Sequence, residues 1–190
     1  MFTDEEIKAD ATKYSDYIGE KGSNMVTGRN FAKCPYVVNN GANDAYVRIR
    51  VMIPHDGDVD NGGIINAMLC STATSSGEFQ QGAKGKNWPV VNLNGYTDEN
   101  GLKYDVYTYT RTEPLKPGEM TEWNVWNFVG IGKNVTSDDI QKAITAGVIK
   151  ETETDGGAKT MTLNVLVQAD AIQAEGFANA TAAFAAFDAQ

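Results

Sequence analysis

Apolar and polar residues alternate most cleanly in Ala45-Tyr46-Val47-Arg48-Ile49-Arg50-Val51-Met52-Ile53. A period of two puts Ala45, Val47, Ile49, Val51 and Ile53 on one side of a strand, and Tyr46, Arg48, Arg50 and Met52 on the other. One side is expected to meet a core, the other water or a partner, and Pro54 to stop the strand. Upstream, residues 34–41 predict a short strand closed by a turn at Asn40-Gly41, where positive φ is expected. Residues 88–93 and 102–112 predict a hairpin with its tip at Asn100-Gly101. Its second arm has the β-branched and aromatic make-up of a strand. Residues 114–119 predict a turn and 121–129 a Trp-rich strand. Thr136-Ser137-Asp138-Asp139 opens a short helix, with a hydroxyl cap and two carboxylates at the positive end of the dipole; Gly147 ends it. Residues 151–158 predict a polar hairpin tip. Residues 160–171 then predict one strand with Met161, Leu163, Val165, Val167 and Ala169 on one side. Residues 175–187 are Ala-rich, with Phe177, Phe184 and Phe187 at helical spacing. Several strands, long turns and two short helices predict an all-β sandwich with helical decoration.

Two stretches carry less pattern. Residues 1–31 are polar, interrupted by Gly19, Gly22 and Gly28, and are expected to form an arm with little core of its own ahead of a domain over 32–190. Residues 5–17 hold a loose helical spacing. Residues 55–63 and 71–87 predict surface loops around 64–69, a short apolar run that suits strand or helix. No internal repeat is present.

Composition narrows the function classes. Of 190 residues, 42% are hydrophobic, which excludes a disordered chain, and the formal net charge is −9. That acidity argues against nucleic-acid partners and against docking on anionic lipid. No apolar run approaches the roughly 20 residues that span a bilayer, so no membrane insertion is expected. Met1 is followed directly by Phe2-Thr3-Asp4, which suits an initiator Met in place of a leader.

Candidate chemistry is sparse. His55 is the single histidine, and it is expected to be an exposed loop residue. No HExxH motif, GxSxG elbow, P-loop or dinucleotide fingerprint occurs. No catalytic residue and no cofactor is therefore expected. Asp56, Asp58 and Asp60 alternate like the opening of a calcium loop. Asn61 and Ala67 hold the places where an EF-hand needs Gly and Glu, so an acidic turn is the plainer reading. Cys34 and Cys70 suit either one disulfide or two buried thiols. Trp88, Trp123, Trp126, Tyr104, Tyr107 and Tyr109 suit core packing better than a sugar platform. Asn134-Val135-Thr136 and Asn179-Ala180-Thr181 match the glycosylation triplet.

Residues 33–51, Lys-Cys-Pro-Tyr-Val-Val-Asn-Asn-Gly-Ala-Asn-Asp-Ala-Tyr-Val-Arg-Ile-Arg-Val, resemble a stretch of the TasA/camelysin family of exported bacterial and archaeal matrix proteins. Phe2-Thr3-Asp4 is similar to that family's mature start, and Pro114-Leu115-Lys116-Pro117-Gly118-Glu119 to a family turn. Residues 167–177, with the Ala-rich tail behind them, are similar to its closing segment. The resemblance implies a jelly-roll-like β-sandwich, export through a dedicated signal peptidase, and polymerisation into fibres of a biofilm matrix. It implies that other copies of the chain are its partners, beside other matrix or surface components. It also implies an N-terminal donor strand, with Phe2, Thr3, Asp4 and Ile7 as assembly residues. Residues 71–87 and 133–147 look like insertions in the family pattern. The camelysin branch is described as metallopeptidases, but no zinc motif occurs in this chain. A surface adhesin or ligand-binding module using loops 55–63 and 71–87 is the other reading.

Overall fold

The computed structural model describes residues 6, 9–22, 30–32, 36–55, 90–121, 128–130 and 135–190. In chain order they form α1 (Ala11–Gly22), β1 (Asn30–Ala32), β2 (Ala45–Pro54), β3 (Val90–Thr97), β4 (Lys103–Thr110), β5 (Phe128–Gly130), α2 (Ser137–Thr145), β6 (Ile149–Glu153), β7 (Lys159–Leu163), β8 (Leu166–Gln173) and α3 (Ala180–Asp188). The protein is mostly strand, with a few short helices. A four-stranded sheet runs β3-β4-β2-β8, and β1-β5 and β6-β7 make two-stranded ribbons. Every pairing is antiparallel. No described helix is long and apolar enough to cross a membrane.

The alternation of β2 places it at the centre. Val47, Ile49, Val51 and Ile53 enter one core with Tyr107, Tyr109, Leu115, Ala143, Val148 and Ile149. Tyr46 enters a second, with Ala180, Ala183 and Phe184 of α3. Met52 joins Tyr104 and Val106 in a third. Both faces of β2 are thus covered, which corrects the expectation that Tyr46, Arg48 and Arg50 meet water or a partner.

The turns follow local chemistry. At the β3–β4 tip, Gly101 takes φ +81°, which only glycine adopts without strain. Asp98 Oδ1 there accepts from the backbone N–H groups of Asn100 and Leu102, both at 2.9 Å. Leu115, fully buried, exchanges backbone bonds with Ala45 at 3.0 and 2.7 Å. Asn39 Nδ2 donates to the carbonyls of Leu115 and Asn43, each at 2.8 Å. The turn over 114–119 and the segment before β2 are thereby held together. The bend at Asn40-Gly41 is different from expectation: Gly41 is not at positive φ, and its N–H donates to Asn39 Oδ1 at 2.9 Å. Thr136 caps α2, with a reciprocal bond from its own N–H to Asp139.

Three further differences concern extent. The strand expected over 160–171 is two strands, because the chain leaves the β6 ribbon after Leu163 and joins β2 at Leu166. β6 takes in residues 151–153, which the pattern assigned to a hairpin tip. In the arm, Gly19 does not interrupt α1, which runs on to Gly22, and Asp10 N–H donates to Glu6 O at 3.0 Å ahead of it.

Ile49 is fully buried, whereas Val167 is 45% exposed. Ile49→Ala is expected to cost about 2–5 kcal/mol in urea unfolding and Val167→Ala less than about 0.5 kcal/mol.

Candidate functional site

The second face of β2 is organised by charge. Register sets Arg48 directly opposite Asp170 of β8. Arg48 is 7% exposed and Asp170 6%, so each needs a partner. Arg48 Nε donates to Asp170 Oδ2 at 2.9 Å. Its Nη1 and Nη2 donate to the two carboxylate oxygens of Asp188, at the end of α3, at 2.7 and 2.8 Å. The guanidinium lies 4.6 Å from the ring centroid of Phe184 and 5.6 Å from that of Phe187, adding cation–π attraction. Arg50 reaches Asp170 diagonally at 2.9 Å, and Gln168 Nε2 donates to it at 3.3 Å. The hydrogen bond from Arg48 holds the Asp188 carboxyl below its ordinary value, and the same bond raises Arg48 further.

At the far end of β2, His55 and Asp105 form a second pair. His55 Nδ1 lies 3.0 and 3.1 Å from the oxygens of Asp105, which is fully buried. A carboxylate accepts, so Nδ1 carries the hydrogen and Nε2 is left as the ring's other nitrogen. This corrects the expectation of an exposed loop histidine: His55 is 9% exposed, because the ladder holds its N–H on Lys103 O at 2.8 Å and turns the ring toward β4. The pair contains two parts of acid–base machinery. Among the described residues no third His, Cys, Asp or Glu gathers into a group that would hold a metal.

The sheet has two flanks. β3, at one, carries a register shift between Asn92 and Tyr96, a bulge that disrupts an edge. β8, at the other, keeps unbroken register with β2 from Gln173 to Leu166. Among the described residues no strand pairs its outer side. Val167 lies opposite Val51 and so points to the first core's side, yet it is exposed, as are Val165 and Met161. The apolar side expected for residues 160–171 therefore faces outward at four of its five positions, Met161, Val165, Val167 and Ala169.

Of the sequence candidates, Phe2, Thr3, Asp4 and Ile7, the pair Cys34 and Cys70, the acidic loop Asp56, Asp58 and Asp60, and Trp88, Trp123 and Trp126 lie outside the described residues. Tyr104, Tyr107 and Tyr109 are buried, as packing requires. Sequence reasoning missed both ion pairs. The signal for one was present: Asp170 interrupts an otherwise uncharged strand, as Arg48 and Arg50 interrupt the apolar run of β2. Comparison of the chain with family models, with curated proteins and with solved structures finds no match.

Removing one partner of a buried pair takes a hydrogen bond from the other. His55→Phe is expected to cost about 3–5 kcal/mol in urea unfolding, with part of the loss recovered in His55→Phe/Asp105→Leu. For Asp188 the folded value is the depressed one, so its contribution is present at neutral pH and is lost as pH falls through that value. A carboxyl-carbon NMR titration is expected to place its midpoint below 3.8, and Arg48→Lys to move the midpoint up.

Proposed function

We propose that the protein is a secreted structural component of an extracellular matrix or cell surface, completed as a jelly-roll-like β-sandwich, which assembles with copies of itself into fibres by strand addition. The observation that carries this reading is the β8 flank: regular in register, unpaired on its outer side among the described residues, and fringed by exposed Val165 and Val167. Unpaired main-chain groups along a straight edge are a template for an incoming strand, and the exposed valines supply side-chain contacts. Addition of that kind is head-to-tail, and a head-to-tail contact that does not close makes a filament. The likeness of residues 33–51, 114–119 and 167–177 to the TasA/camelysin family supports the same reading.

The donor in this proposal is the N-terminal arm. In the free chain the arm is helical over Ala11–Gly22, where Tyr14 packs edge-on against Tyr36 at 5.8 Å. A helix of 12 residues is marginal in water, so giving up its first turns for a paired strand costs little.

Purified chain is expected to form fibres in electron microscopy, and Val167→Lys and deletion of residues 2–22 each to leave folded monomers. Wild-type chain that stays monomeric across concentration sinks the proposal. Fibres that survive the deletion remove the arm as donor.

A further inference from the structure

The helix α3 is held by a small seal and one charged contact. Its buried side chains are Ala180, Ala183 and Phe184, with Phe187 half-buried beside them, so the apolar surface it hides is chiefly two rings near Tyr46. A helix of nine residues does not persist in water by propensity, so α3 depends on its docking. The sheet has no matching dependence. Arg48, Arg50 and Asp170 bond to one another across β2 and β8 without the helix. Two guanidinium groups and one carboxylate leave that cluster at +1, and Asp188 brings the balancing charge. The Asp188 side chain is 55% exposed, so it loses little by returning to water. What it leaves behind is the Nη1/Nη2 edge of Arg48, a planar fork of two donors that matches a carboxylate in two-point geometry.

We infer that α3 is a strap that opens as a unit, and that the face beneath it is a carboxylate-binding socket in which Asp188 is the resident ligand. The Arg48 fork supplies the charge, and Tyr46 and Ile172 supply the apolar floor. The ligand class is a short apolar peptide helix with a carboxylate at its C-terminal end. The strap keeps the socket closed by occupying it, and a competing peptide of that class binds only when the strap is loosened. Independent opening of a terminal element is the ordinary behaviour of a segment with few buried contacts.

Two measurements on the full chain test this. In hydrogen exchange, Asp188→Asn is expected to speed the amides of residues 183–188 by about ten-fold or more, with β2 and β4 amides unchanged. A labelled synthetic peptide of residues 177–190 is then expected to bind the Asp188→Asn chain. The same peptide carrying Asp188→Asn is expected to bind about ten-fold more weakly. Exchange of α3 and β2 at one common rate overturns the strap. Equal binding of the two peptides, or binding of neither, overturns the socket.

Discussion

A central strand that carries large side chains on both faces has to be covered twice. β2 is such a strand: its odd positions fill one core, and its even positions carry Tyr46, Arg48, Arg50 and Met52. The first cover is assembled from β4, the turn at Leu115, α2 and the start of β6. The second is built from α3 and the ends of β4 and β8. Arg48 shapes the second cover, because a guanidinium between two strands needs a carboxylate beside it and draws a further one to its open edge. Asp170 comes from the neighbouring strand and Asp188 from the helix above. The path of the C-terminal residues is set by that requirement.

Cover is unevenly distributed across the sheet. β2 and β4 are closed on the first-core side, whereas β8 shows Val167 there. On the other side α3 covers Asp170 and packs on Ile172 of β8, while Gln168 stays exposed. The strand that joins sheet to helix is therefore covered toward its own tail only near its end, and bare toward the first core. His55 and Asp105 sit at the opposite end, where β2 leaves the sheet, and fix the last turn of the ladder through one buried contact.

Local periodicity made the framework legible. The alternation over Ala45–Ile53, the tip at Asn100-Gly101, the cap at Thr136 and the stop at Gly147 each rest on neighbours in sequence, and each is found in the structure. What rests on partners distant in the chain was not legible. His55 pairs with a residue 50 positions away and Arg48 with one 140 away. A polar side chain reads as solvated until its partner is known. The break between β7 and β8 failed for a related reason. The alternation runs through Asn164 and falters only at Leu166, too little to show that Leu163 and Leu166 belong to different sheets, which tertiary pairing decides. Gly41 shows the converse: the Asn-Gly dipeptide is real, but the side chain of Asn39 makes the bend and removes the need for positive φ.

The bulge in β3 bears on symmetry. One flank of the sheet is kinked and the other is straight, so the two are chemically unlike. A head-to-tail lattice that uses the regular flank would have a polarity, its two ends presenting different surfaces. A single irregularity of backbone register between Asn92 and Tyr96 would then mark one flank from the other.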